Sequence, residues 1–196
     1  MEPFRPTISK EEMVQFPFAN FEGKIHVIQT MEQTRKAVSF LRTQPVLGFD
    51  TETRPSFQKG KRNKVALMQL SSEKVCFLFR INIMGIPEVL LDLLTDPNIK
   101  KIGLSLKDDF HSLNHTTKIE QVNFIDIQNY VKYFRIEENS LSKIFAIIFN
   151  KRISKSQRLS NWEADFLSEK QKRYAALDAW ATREIYVKLE SLNNSN

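Results

Sequence analysis

A single cysteine, Cys76, is all the thiol chemistry this chain has, so it can form neither an intramolecular disulfide nor a cysteine-rich zinc site. It lies in the apolar run Val75-Cys76-Phe77-Leu78-Phe79 and reads as a small buried residue of an intracellular protein, cytoplasmic or nuclear according to its source. No apolar run approaches the length needed to span a bilayer. The first six residues also lack a basic stretch followed by an apolar one, so neither a membrane partner nor a secretory leader is expected. Internal repeats and low-complexity tracts are missing too. Acidic residues are in deficit: 23 Asp plus Glu face 29 Lys plus Arg. The resulting formal charge of +6 favours a polyanionic partner through its field and through counterion release. Taken alone, that charge fits a merely soluble basic surface equally well.

With 196 residues, the chain can build one domain with a substantial core. Residues 1–23, which include Pro3, Pro6, Pro17 and Gly23, read as an irregular lead-in, and 24–192 as a single domain. A strand at 24–29 is followed by Thr30 and Gln33 in capping-box spacing, which opens a helix to about Thr43. Strands follow at 46–52, 65–70 and 75–79, the last two close enough for a hairpin. From Pro87 the pattern alternates: a helix to about Thr95, a strand at 101–105, a helix near 107–114, a strand at 122–127 and a helix before Arg135. From Ser140 onward it reads as helix, with a basic linker at 151–158. Hairpin first and alternation later imply an α/β fold, a mixed sheet of about five strands with helices on both faces.

The chemistry begins with Asp50 and Glu52 at the end of an apolar strand. Strand side chains alternate, so both carboxylates project from one side, about 7 Å apart along the strand. Buried anions must be paired or must coordinate a metal. A second acid lies in the last helix, which a Ser168 to Gln171 capping pattern starts and which runs to about Glu190. Its wheel puts Tyr174, Leu177, Asp178, Ala181, Ile185 and Leu189 on one face, so Asp178 falls in the apolar stripe. Tyr174, one turn earlier, is either a half-buried aromatic or a phenol that orients a metal-bound water. A third candidate comes from the helix near 107–114. Asp109 shares a face with inward-pointing Leu113, whereas Asp108 shares one with His111, Ser112 and His115, which favours Asp109 as a ligand and Asp108 as a cap or surface residue. Four converging carboxylates suit two hard divalent cations, Mg²⁺ or Mn²⁺, and hence in-line phosphoryl displacement.

The ordered set Asp50-x-Glu52, Asp109 and Tyr174-x-x-x-Asp178 resembles the three motifs of the DEDD exonucleases, in their tyrosine-bearing DEDDy branch. The histidine branch carries His five residues before the final Asp, where this chain has Arg173. The stretches 48–52, 64–70, 101–103 and 160–162 are similar to Werner-type exonuclease domains, relatives of ribonuclease D, and the likeness runs from about Ile25 to Glu190. It implies a ribonuclease H-like fold and 3′ to 5′ release of nucleoside 5′-monophosphates, with DNA favoured as substrate and RNA open. By position, Asp50 would bridge both metals, Glu52 and Asp178 would complete the first site, Asp109 would hold the second metal, and Tyr174 would position the attacking water. Asp108 stands where the pattern has Gly. Any helicase or repair factor is expected as a separate partner.

Two basic segments flank these motifs, Lys59, Lys61, Arg62 and Lys64 on one side and Lys151, Arg152, Lys155 and Arg158 on the other. They are expected to grip backbone phosphates, the alternative being solvated loops. Met68, Trp162, Phe166 and Trp180 read as core or helix-packing residues rather than base-stacking ones. Rival functions are an exoribonuclease of ribonuclease D type, a catalytically inactive nucleic-acid-binding module on the same fold, and a phosphatase of small phosphate esters.

Overall fold

The computed structural model describes residues 4–58 and 63–193. Its strands are β1 Lys24–Ile28, β2 Val46–Thr53, β3 Val65–Ser71, β4 Val75–Phe79, β5 Lys100–Gly103 and β6 Phe124–Asp126. Among the described residues they form one six-stranded sheet in the order β1-β4-β3-β2-β5-β6, so that all six stretches read as strands join it where a sheet of about five was expected. β4, β3 and β2 pair antiparallel, while β1 on β4, β5 on β2 and β6 on β5 are parallel. β3 is buried along its whole length, the pattern of a strand covered on both faces. A register shift at Glu52/Thr53 interrupts the ladder with β3 just before its last pair, Thr53 with Val65.

The helices are α1 Lys10–Val14, α2 Met31–Leu41, α3 Ile81–Met84, α4 Glu88–Leu94, α5 Leu106–Asn114, α6 Ile127–Tyr130, α7 Leu141–Phe149 and α8 Glu169–Asn193, with a 3₁₀ turn Val131–Phe134 after α6. Both expected capping boxes form. Thr30 Oγ1 accepts from the Gln33 amide at 3.2 Å while Gln33 Oε1 accepts from Thr30 N, and Ser168 and Gln171 make the same reciprocal pair before α8. Helices cover both faces of the sheet, α7 and α8 over one core and α2, α4 and α5 over the other. None of the described helices is long and apolar enough to cross a membrane.

Two segments depart from the sequence reading. The lead-in contains α1, whose N-terminus is closed by a Ser9–Glu12 capping box, and it buries Ile8, Ala19 and Phe21 in the main core. Its prolines obscured a segment that tertiary packing holds in place. The basic linker at 151–158 forms as expected, but 159–167, read as helix, is turns as well. Asn150, at φ 51°, ends α7 in the left-handed region. Beyond it the fully buried Arg80 donates to the carbonyls of Ala164 at 2.6 Å and Asp165 at 3.2 Å, supplying bonds that a helix would otherwise make internally.

Candidate active site

β2 builds the site by presenting alternate residues to opposite faces of the sheet. Gly48, Asp50 and Glu52 face α8, whereas Phe49 and Thr51 face α5. A Cβ on Gly48 would stand 1.8 Å from the Ala179 carbonyl oxygen, so only glycine lets α8 lie against the strand backbone there. Thr182 Oγ1 donates to the Ile102 carbonyl at 2.7 Å and Arg183 Nε to that of Val46 at 3.3 Å, which fixes the helix over β5 and β2. Asp178, next to Ala179, is thereby brought over Asp50 and Glu52. Carboxylate oxygens of these three residues lie within 4.8 Å of one another.

Asp109 approaches from the other face. Phe110 of α5 stacks on Phe49 with ring centroids 6.0 Å apart, and Thr51 Oγ1 donates to Asp109 Oδ1 at 2.5 Å. Asp109 flanks the triad, close enough that its charge raises the pKa of Glu52 and that the charge of Asp50 raises its own. Asp108 is exposed on the outer side of α5, as the wheel indicated. It does not cap the helix: that role falls to Asp126, whose carboxylate accepts from Ser105 N at 3.3 Å and Leu106 N at 2.9 Å. Sequence reasoning missed both Thr51 and Asp126, because each acts on a residue many positions away. The one available signal was that Asp126 ends a strand, and it acquires meaning only through the pairing of Gly103 with Asp126.

Burial dominates the electrostatics. It pushes Asp50 well above the usual carboxylate range, with the charge of Asp178 adding to the effect and a hydrogen bond from the Thr51 backbone opposing it. Glu52 is pushed up to about 10 by burial and then by the charges of Asp50, Asp178 and Asp109. Asp109 rises to about 8, from burial and then Asp50, with the Thr51 hydrogen bond opposing. Asp178 rises to about 7 through burial, held back by its hydrogen bond with Tyr174 and by the charge of Lys155. The Tyr174 phenol is itself raised by burial and by the charges of Asp178 and Glu52, so it stays neutral and serves as a donor rather than a base. Trp162, fully buried, packs on the Tyr174 ring at 6.0 Å and sets its position. Oδ1 of Asp178, only 8% of whose surface is exposed, has no hydrogen-bond partner among the described residues. An all-oxygen cluster with an orphaned buried carboxylate oxygen fits a hard divalent cation.

The basic residues do not act as one group. Lys59, Lys61 and Arg62 lie outside the described residues. Lys64 lines a cleft of about 670 Å³ with Ser112, Leu113 and Glu163, beside the start of β3. Lys155 is exposed and close enough to Asp178 to favour its charged form. The Arg152 guanidinium instead covers the Phe18 ring, 3.9 Å from its centroid. Arg158 is exposed in the turn after Lys155, its amide bonded to the Lys155 carbonyl. Lys151 lines a depression beside the first residues of β1 and β4, at the end of the sheet away from Glu52, so it does not flank the carboxylates. Met68 and Trp162 are fully buried as expected, and Trp180 packs on Phe21 and Phe145. Phe166 is the exception at 90% exposure: the turn that buries Trp162 leaves it in solvent.

The sheet with both faces covered and the acidic cluster at the end of its central strand define a ribonuclease H-like α/β fold of the kind that carries metal-dependent nucleases. Residues 25–193 match the family model described as 3′-5′ exonuclease, and the chain belongs to that family. It is 36% identical over 156 residues to the mouse (Mus musculus) bifunctional 3′-5′ exonuclease/ATP-dependent helicase WRN, an alignment that covers 76% of this chain and 11% of that protein. Among solved structures, the Aedes aegypti Nibbler EXO domain superposes with a TM-score of 0.77 at 21% identity, covering 90% of this chain and 93% of that one. Escherichia coli RNase D does so with a TM-score of 0.72 at 22% identity, covering 87% and 46%. The two superpositions show likeness of fold.

Proposed function

We propose that this chain is a metal-dependent 3′-5′ exonuclease domain that hydrolyses phosphodiester bonds from the 3′ end of DNA and releases nucleoside 5′-monophosphates. The observation that carries the reading is the convergence of Asp50, Glu52 and Asp178 oxygens within 4.8 Å, in a chain of the 3′-5′ exonuclease family. Asp50, Glu52, Asp178 and Asp109 would hold two divalent cations, Mg²⁺ or Mn²⁺. When bound, such ions supply charge stabilisation to the attacking and leaving oxygens of the phosphoryl group. The protein's own part is positioning. Tyr174, fixed by Trp162 and Asp178, orients the attacking water through its neutral hydroxyl. Lys64 and Lys155, on two sides of the carboxylates, hold the substrate's phosphates without reading its bases. The cleft at Lys64 receives the terminal nucleotide. Because the mouse relative is named as both exonuclease and helicase, a separate helicase or repair partner belongs to the same reading.

The test is a 5′-labelled strand with a recessed 3′ end, presented as matched DNA and RNA with Mg²⁺ or Mn²⁺. Stepwise shortening of DNA is expected, and Asp50→Ala or Asp178→Ala should abolish it with the fold intact. Shortening of RNA alone would move the assignment to an exoribonuclease of ribonuclease D type. Binding without shortening would leave a nucleic-acid-binding module. An active Asp50→Ala protein would refute the metal assignment.

A further inference from the structure

We propose that the single strand behind the reacting nucleotide runs in a groove leading from Tyr174 across Phe18 and Arg152 to α1, with the Phe18 ring as its base-stacking platform. The inference rests on the exonuclease reading and extends it to a surface that leads away from the carboxylates. Two depressions, of about 470 and 650 Å³, share Phe18 and Ser154 and so form one path. The first begins at Tyr174, inside the site, and the second ends at Lys10 and Met13 on α1. Lys170 and Arg173 line the first, while Lys10, Arg152 and Lys155 line the second. Among the described lining residues the one acid is Glu138, which is paired with Lys143 at 2.8 Å. The described lining of the path therefore offers an excess of cations to a polyanion.

Phe18 supplies what a phosphate track alone lacks. Its side chain is 53% exposed although its backbone is pinned on both sides: Ala19 N donates to the Arg152 carbonyl at 2.9 Å and Arg152 N to that of Pro17 at 3.0 Å. The Arg152 guanidinium lies over the ring, and its Nε is buried with no acceptor among the described residues. A rigid, half-exposed aromatic ring beside a cation, set among lysines, is the arrangement on which successive bases stack while their phosphates are neutralised. Such contacts tolerate any base and either sugar. The cleft beside Lys64 is a separate cavity that shares no lining residue with these two depressions.

KM for a trinucleotide and for a strand of about 20 nucleotides separates the groove from the reaction centre, since several nucleotides are needed to fill such a track. Phe18→Ala should raise KM for the long strand about tenfold, equivalent to about 1.4 kcal/mol, while that for the trinucleotide changes less than twofold. Lys10→Glu, at an exposed position on α1, should weaken the long strand and reduce the salt dependence of its binding by about one unit of slope. Variants whose KM depends on length as the wild type's does would overturn the groove, as would equal losses on both lengths, which would make Phe18 a structural lock for the lead-in. A wild-type chain that shortens neither substrate would overturn the exonuclease reading itself.

Discussion

Replacing Asp178 with Asn tests whether the carboxylates are held together against their own repulsion. Oxygens of Asp50, Glu52 and Asp178 lie within 4.8 Å of one another, and Asp178 is 8% exposed. At that separation two full charges repel by about 3 kcal/mol when the effective dielectric constant is about 20. Shared protons relieve part of this, so removing one carboxylate should stabilise the metal-free protein by about 1–3 kcal/mol at pH 8. The sign follows from linkage. Burial raises Asp178 to about 7, so between about pH 4 and that value the folded chain keeps a proton that the unfolded chain has released. Stability contributed by the neutral carboxyl is complete below about pH 4 and is lost as pH rises through 7. Wild type and Asp178→Asn should therefore melt together near pH 4 in EDTA and separate above it, the variant being higher by about 2–10 °C at pH 8 for a chain of this size. Adding Mg²⁺ should reverse the order, because mass action stabilises only the protein that binds the ion. Scanning calorimetry from pH 4 to pH 8, with and without Mg²⁺, measures both effects. A variant that melts below the metal-free wild type at pH 8 would show that protein donors, rather than a cation, satisfy the cluster.

Gly48→Ala should destabilise the fold by about 1–3 kcal/mol and cut activity, because the new methyl drives α8 and Asp178 away from β2; calorimetry and the end-labelled strand assay read the two effects. Asp109→Asn should abolish shortening while Asp108→Asn leaves it near wild type, and the opposite result would reverse the assignment of the two aspartates. Tyr174→Phe should lower kcat by about 10- to 100-fold with no displacement of the pH profile, since the phenol orients water and does not titrate in the working range. A profile moved by that substitution would instead make the phenol a proton carrier.

Much of the site was legible in the sequence because it depends on local periods. Strand alternation put Asp50 and Glu52 on one side, and the helical wheel placed Asp178 in a buried stripe and turned Asp109 inward and Asp108 outward, as the structure has them. The capping boxes at Thr30 and Ser168 were visible for the same reason, since each is completed within three residues. Other features belong to the tertiary structure alone. The strand order, the contact of Gly48 with the Ala179 carbonyl, the Thr51 bond to Asp109 and the Arg80 bonds that hold 164–165 in turns each join distant segments. So do the burial of the lead-in and the stacking of Arg152 on Phe18, which a basic residue count could only read as one more phosphate contact. The sequence by itself determined which residues share a face, because that follows from backbone geometry over a few residues. Which faces meet was decided by packing, where a missing Cβ or one buried guanidinium selects the partner.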